Sequence, residues 1–379
     1  MVMIFFVISG YAISYKPLDL ARKGRWADFN SALASSVFRR HSRLFIPAAT
    51  VSFFTALATY LGWFGTEGWG DVAVASRQPP RPGAFLPQLY DWAAHTIEMV
   101  DPFSRNDNRG MSNFYDPNLW TLPIEFDFSM VVFLCLAAFS RLRPLVRLIM
   151  TFGLLCYANY YTHWRVFLFI SGMFLCDLKF YLAENEPTSS LPEHTGDITE
   201  DQTPTHTKNT TLIKAAWTVS FILTIYLLSM PEIGRGGRDS PGYKTLAAMI
   251  PSQYAGSPDH FWIPLGSAWL VFTIDRASHL QAIFTHRFPQ YLGRISYSLY
   301  LVHGPLLWTL GRAAAVSAVG LTGRSTNELY CFGIFLSACV FWPVTIWVAD
   351  IVMRAVDLKA VAFGHWAYAS LLRDTNEGN

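Results

Sequence analysis

One histidine inside a long apolar run is the strongest candidate for chemistry. His303 lies seven residues after Ser296 and three after Tyr300, so the three side chains share one face of a predicted helix. If that helix starts near Gly293, the imidazole lies some 15 Å in, near the middle of a bilayer. Serine and tyrosine hydroxyls can hydrogen-bond an imidazole and fix its tautomer. The alternative is a buried histidine that ties two helices together.

A second candidate is the acid in "NLWTLPIEF", Glu125. Asn118 or Thr121 can cap a helix here, and Pro123 is tolerated in a first turn. An acid near a helix start also suits the helix dipole, which is the purely structural explanation. The functional hypothesis is a carboxylate at the outer mouth of a cavity, where it orients a base or binds an acceptor hydroxyl.

Basic residues cluster in "FRRHSR", just before the second apolar run. Arg40 and Arg43 share a helical face, and arginine forks bind phosphates well. A cytoplasmic donor that contains a nucleotide, such as an acyl-CoA, would suit this patch. The simpler hypothesis is that these residues anchor the cytoplasmic end of a span.

The composition indicates that these residues belong to a membrane protein. The chain of 379 residues is 52% hydrophobic and only 15% charged, whereas average soluble domains carry roughly 25% charged residues. A net charge of +2 gives no general attraction to nucleic acid, so no such partner is expected. The five cysteines lie in apolar runs without ligand spacing, and neither a metal site nor a disulfide framework is predicted.

Apolar runs predict an all-α fold, a polytopic transmembrane helix bundle with about nine spans. The spans are expected at about 1–15, 44–64, 119–139, 145–161, 164–182, 212–230, 261–275, 293–312 and 329–352. Lysines and arginines concentrate in the connections 16–43, 140–147 and 276–294 and in the tail, which places all of these on one side. That side is taken as cytoplasmic, so the C-terminus is predicted to be cytoplasmic.

The whole chain, 1–379, is predicted to form a single transmembrane domain with two long connections. Segment 65–118 contains many Pro, Gly and Asn residues and is predicted to be an extracytoplasmic loop. Segment 183–211 is acidic, rich in Thr and Pro, and nearly free of large apolar residues. Such a composition predicts a disordered loop, here on the cytoplasmic side.

Four motifs occur in order along the chain: "FFVISGYAIS", "RRHSRLFIP", "LWTLPIEF" and "LGRISYSLYLVHGPLL". Together they resemble the acyltransferase 3 family of polytopic membrane O-acyltransferases. The resemblance implies about ten spans and the transfer of an acyl group, often acetyl, from cytoplasmic acyl-CoA. The acceptor would be a hydroxyl on a sugar, glycan or small metabolite. Acyl-CoA is then a donor substrate, no cofactor is permanently bound, and the lipid bilayer is the remaining partner.

The resemblance also implies roles for residues within the motifs. The catalytic candidates are His303, Glu125 and Tyr300, and the substrate-binding candidates are Arg40, Arg43, Trp120 and Ser296. Tyr300 is expected to stabilise the developing oxyanion. Family members usually carry one more helix before the first motif, with an arginine and the histidine regarded as catalytic. The sequence starts after that point, so His303 is expected to support a principal base that the chain lacks.

Two other functions stay open at this stage. A membrane transporter or carrier for a lipid or small molecule would also place polar residues near the midplane, although no inverted repeat is evident. A catalytically inactive acyltransferase-like paralogue, or a truncated gene product, would bind acyl-CoA or nothing and show no turnover.

Overall fold

The described residues are almost entirely helical. The computed structural model describes residues 2–64, 72–74, 77–103, 113–185, 205–233 and 236–372, with backbone alone at 205–210. Within these ranges there is no strand, which confirms the predicted all-α class. The helices are α1 (Val2–Arg22), α2 (Trp26–Tyr60), α3 (Phe85–Val100), α4 (Thr121–Phe139), α5 (Pro144–Tyr160), α6 (Trp164–Asn185), α7 (Thr205–Leu228), α8 (Lys244–Ala248), α9 (Asp259–Arg276), α10 (Ser278–Phe284), α11 (Arg287–Leu306), α12 (Arg312–Thr322), α13 (Asn327–Val352) and α14 (Leu358–Leu371).

Every predicted span falls on a helix, but only some of these helices satisfy the criteria for a membrane span. In the described part of the chain, five stretches are long and apolar enough: Trp26–Tyr60, Pro117–Phe139, Trp164–Asn185, Thr211–Leu228 and Asn327–Leu371. The helices at 1–15, 145–161, 261–275 and 293–312 are not among them. The count of nine spans is therefore not confirmed and stays a prediction.

Two helices begin earlier than the apolar pattern predicts. Helix α2 starts at Trp26 rather than at 44 and is 35 residues long, about 50 Å of helix. The basic cluster therefore lies within α2 and not before it. Helix α11 starts at Arg287 rather than near Gly293, which places His303 more than four turns from its start. The expected depth of His303 in the bilayer rested on the later start and no longer follows.

The two long connections contain more helix than the sequence suggests. Segment 65–118 includes α3, which buries Gln88, Thr96 and Met99 and exposes other residues. Of segment 183–211, residues 183–185 end α6 and 205–211 begin α7. The remainder lies outside the described residues. The side of the membrane on which each segment lies stays a prediction.

The chain divides into two units, and the first comprises Met1–Ala34 and Phe128–His286. In this unit α1 crosses α6 at very short range, because a glycine on each helix faces the backbone of the other helix. A methyl group on Gly10 would overlap the carbonyl of Phe169, and one on Gly172 would overlap the backbone of Val7. Small residues of this kind allow apolar helices to approach closely and pack by van der Waals contact.

Several charged residues in the first unit are paired. Asp177, fully buried, accepts two hydrogen bonds from Arg147, at 2.7 Å from Nε and 2.6 Å from Nη2. Arg22 donates a third at 2.7 Å. Lys179 donates to Asp275 at 2.8 Å. Buried charges are tolerated when a partner and further hydrogen bonds compensate their desolvation.

The second unit, Ser35–Asp127 and Arg287–Asn379, contains all of the candidate site residues. Its core joins α2, α3, α11 and α13 with the turn before α4. The buried apolar residues of this core include Leu44, Phe45, Ala48, Met99, Leu119, Leu122, Ile295, Leu301, Val302 and Ala349. The hydroxyl of Tyr297 on α11 donates to the carbonyl of Leu44 on α2. This core fixes α11 against α2 within the unit.

The α1–α6 crossing predicts that Gly172→Ala destabilises the protein. The added methyl has no room beside α1, and overpacking costs roughly 1–3 kcal/mol. We expect the thermal unfolding midpoint in detergent, followed by loss of the monodisperse species, to fall by several degrees. Gly153→Ala in α5 is the matched control, because nothing lies within 4 Å of its added methyl. Equal midpoints for the two variants would contradict the close crossing.

Candidate active site

Contacts within the second unit bring three of the sequence motifs together. The candidates lie on α2 (Arg40, Arg43), on the 3₁₀ turn Pro117–Trp120 (Trp120), on α4 (Glu125) and on α11 (Ser296, Tyr300, His303). Arg40 contacts Glu125 across 85 residues of sequence, and Tyr300 contacts Thr121 across 179. These contacts place residues of the three motifs next to one another within the unit.

The hydroxyl of Tyr300 fastens α11 to the turn before α4. It lies 2.6 Å from Thr121 Oγ1 and also contacts the carbonyl oxygen of Asn118. A carbonyl only accepts, so Tyr300 donates its proton to Asn118, and the hydroxyl of Thr121 donates to Tyr300. In this arrangement the proton is directed at a backbone carbonyl, and the oxyanion role expected of Tyr300 stays a prediction.

The backbone fixes the tautomer of His303. Its Nδ1 lies 2.6 Å from the carbonyl oxygen of Tyr300, one turn earlier in α11. Because that oxygen can only accept, Nδ1 carries the proton, and in the neutral ring Nε2 presents a lone pair. The sequence predicted that hydroxyls of Ser296 and Tyr300 fix the ring. Instead, Ser296 donates to the carbonyl of Gly293 at 2.8 Å.

Glu125 and Arg40 form an ion pair. Arg40 Nη2 donates to Glu125 Oε1, and the two side chains are only 11% and 16% exposed. The sequence-based hypothesis put Glu125 at the outer mouth of a cavity and Arg40 at the cytoplasmic end of a span. Those ends are separated by about 30 Å of hydrocarbon, so a direct contact rules out that separation. We correct it: both residues lie at one level of the unit.

The remaining candidates differ in their exposure and contacts. Arg43, one turn after Arg40, is exposed and makes no hydrogen bond with the described residues. Its guanidinium is thus open to an anion. Trp120 is partly buried at the end of the 3₁₀ turn. The substrate-binding roles of Trp120 and Ser296 stay predictions.

Sequence reasoning missed Asp116, which precedes the "LWTLPIEF" motif by three residues. Its Oδ1 accepts from the backbone N–H of Asn118 at 3.0 Å and caps the 3₁₀ turn, so neither Asn118 nor Thr121 is the cap. The signal was available, since an aspartate followed by Pro117 is typical of a helix start. Asp116 is 1% exposed. Burial raises the pKa of this carboxyl to about 7, against opposing contributions from the backbone N–H of Asn118, from Arg77 and from the side chain of Asn118.

The arrangement supplies the parts needed for general acid–base transfer. His303 offers an unprotonated nitrogen, Arg43 offers an exposed guanidinium that interacts electrostatically with Asp357, and the Arg40–Glu125 pair and Tyr300 hold the helices that carry them. The described residues contain no group of three or more His, Cys, Asp or Glu positioned to hold a metal ion.

Comparisons with known proteins place these features in a family. The profile of the acyltransferase domain, acyltransferase 3, matches residues 1–353. The chain is 41% identical over 382 residues to O-acetyltransferase PaAT-1 of Phomopsis amygdali, covering 98% of this chain and 74% of that protein. It is 21% identical over 378 residues to acyltransferase clz18 of Cochliobolus lunatus, covering 94% and 78%. No solved structure matches.

The profile match takes in all four motifs, the whole first unit and the second unit as far as Met353. The fold is helical and contains several stretches able to cross a membrane. The enzyme class is accordingly that of acyltransferases that move groups other than aminoacyl groups. The chain belongs to the acyltransferase 3 family of membrane O-acyltransferases.

Proposed function

We propose that the protein transfers an acyl group, acetyl in the first instance, from acyl-CoA to a hydroxyl of a carbohydrate or small-molecule acceptor. The observation that carries the proposal is the tautomer of His303, whose Nδ1–H is held by Tyr300 so that Nε2 can accept a proton. The acetyl group follows from the name of the O-acetyltransferase of which the chain is a relative. Acyl-CoA as donor follows from the exposed arginine on α2 and from the family resemblance.

The sequence alone assigned His303 a supporting role. Here we propose that it acts as the base itself, so that the acceptor hydroxyl gives its proton to Nε2 of His303. Its oxygen forms a bond to the thioester carbonyl carbon and produces a tetrahedral adduct. Collapse of the adduct breaks the C–S bond, and the imidazolium returns the proton to the departing CoA thiolate. Atoms and charge balance without a metal or redox partner. The carbonyl of Tyr300 stabilises the ring while it is positively charged, because Nδ1 keeps donating to it.

The other candidate residues take positioning and donor-binding roles. Tyr300 holds α11 on the turn before α4, and the Arg40–Glu125 pair holds α4 on α2. Arg43 binds a phosphate of the donor, since its fork is exposed and phosphates accept bidentate hydrogen bonds. The proposal places Arg43 and the C-terminus on the cytoplasmic side, where acyl-CoA is available.

The proposal predicts that the purified protein consumes acetyl-CoA. With a panel of hydroxyl acceptors in detergent or nanodiscs, we expect release of CoA thiol together with an acetyl ester, both identified by mass spectrometry. Boiled protein is the background. If CoA is not released above this background with any acceptor, water included, the proposed function is wrong.

His303→Ala should slow turnover while leaving the donor bound. Removal of a general base typically costs 10²–10⁴-fold, so we expect kcat to fall by at least about a hundredfold with an unchanged Kd for acetyl-CoA. His286→Ala is the control, because that histidine is exposed and lies in the other unit. A His303→Ala protein with full kcat would reduce His303 to a structural role.

Arg43→Ala should weaken donor binding through loss of a phosphate contact. We expect about a tenfold higher KM for acetyl-CoA, since a hydrogen bond to a charged group contributes about 1.5–3 kcal/mol. The KM for acetylpantetheine, which lacks the nucleotide phosphates, should not change. Lys359→Ala removes another exposed cation of the same unit and serves as control. Equal effects on both donors would show that Arg43 does not read phosphate.

A further inference from the structure

Only one of the two carboxyl oxygens of Asp116 has a hydrogen-bond partner among the described residues. Its Oδ1 caps the 3₁₀ turn through the N–H of Asn118. Its Oδ2 is buried and has no hydrogen-bond partner among the described residues. A carboxylate can accept about four hydrogen bonds, and a buried acceptor without a partner costs stability. Such a group in a native protein needs an explanation.

Capping does not explain the choice of aspartate. A cap requires one side-chain oxygen, and asparagine serves about as well as aspartate in this position. Asparagine would avoid burying a charge, which is costly without a partner. The same type of turn occurs at Asp101, whose Oδ1 accepts from the N–H of Phe103 at 2.8 Å. Asp101 is more exposed and thus keeps its second oxygen in contact with solvent.

Asp116 lies beside the residue that follows His303. A methyl group on Gly304 would lie 3.1 Å from Asp116 Oδ1 and 2.5 Å from Asn118 Nδ2. The absence of a side chain at Gly304 thus lets the capped turn rest on α11. The carboxyl group is held within one residue of the imidazole's own backbone. Asp116 Oδ1 and the backbone of Gly304, the residue after His303, are therefore close neighbours within the second unit.

We propose that Asp116 Oδ2 accepts a hydrogen bond from a second hydroxyl of the acceptor, next to the hydroxyl that gives its proton to His303. The inference rests on the proposed function and names its substrate class. A hydroxyl has one proton, so two acceptor atoms require two hydroxyls. The acceptor is then a diol or polyol with neighbouring hydroxyl groups. Because Oδ2 is enclosed without substrate, the acceptor reaches it only by displacing the side chains that cover it, while Tyr300 keeps the 116–118 turn on α11.

The test compares a diol with the matching alcohol. With acetyl-CoA as donor, trans-1,2-cyclohexanediol and cyclohexanol are used as acceptors, and kcat/KM is measured for each. We expect wild type to prefer the diol by about ten- to hundredfold, the range for a hydrogen bond to a charged group. Asp116→Asn should abolish this preference through a higher KM for the diol, while hydrolysis of acetyl-CoA by water is retained.

The pH dependence provides a second readout. The carboxylate accepts a hydrogen bond better than the neutral acid, so the diol preference of wild type should grow as pH rises through about 7, to which burial raises the pKa of Asp116. Among the described residues, the charged or titratable groups that act on Asp116 are Arg77, from the segment before α3, and Tyr300 on α11. Both keep their protonation over this range in ordinary surroundings. The preference of Asp116→Asn should not vary with pH.

Two controls separate folding and function from the role of Asp116. Asp101→Asn keeps its own turn and should retain the wild-type diol preference. Asp116→Ser keeps a capping oxygen and replaces Asp116→Asn if that variant is not monodisperse. Wild type that releases CoA without preferring the diol, or an Asp116→Asn variant that keeps the preference, overturns this inference alone. Wild type that releases no CoA overturns the proposed function.

Discussion

A charged side chain between apolar helices needs an opposite charge, because its transfer out of water is otherwise unfavourable. The second unit depends on this constraint through Arg40 and Glu125. Their ion pair fixes α2 against α4. The turn that begins α4 then meets α11, where Tyr300 and Gly304 receive it. The position of His303 thus depends on a chain of contacts, which runs from the Arg40–Glu125 ion pair through the turn before α4 to α11.

Within this arrangement the polar groups divide into two kinds. The hydroxyl of Tyr300 donates to a backbone carbonyl and accepts from the hydroxyl of Thr121. The hydroxyl of Ser296 donates to a carbonyl of its own helix. These hydroxyls contribute rigidity. His303 differs, because among the described residues only its Nδ1 has a hydrogen-bond partner. The chemistry expected of the second unit therefore depends on atoms that have no hydrogen-bond partner among the described residues. Nearby hydroxyls fix the positions of those atoms.

The sequence predicts where the helices lie along the chain better than it predicts which residues contact each other. Apolar runs located nine of the helices, because burial in hydrocarbon selects composition over a whole span. The apolar runs did not predict the start of α2, because arginines continue that helix beyond its apolar part. They also did not predict α3, whose amphipathic pattern is not that of a span. Motif positions identified His303, Tyr300, Glu125 and Arg40. The pairing of Arg40 with Glu125, and the half-used carboxyl of Asp116, depend on partners distant in sequence, which no local pattern records.

The buried pair Arg147–Asp177 bears on how the chain enters a membrane. The two residues belong to α5 and α6, which are joined by a turn of only three residues, with Thr162 in a left-handed conformation. Helix α5 alone would carry Arg147, its fourth residue, without this partner, and burying an unpaired charge is costly. Its counter-charge is synthesised later, on α6. A hairpin of both helices therefore enters an apolar phase at a lower cost than α5 alone.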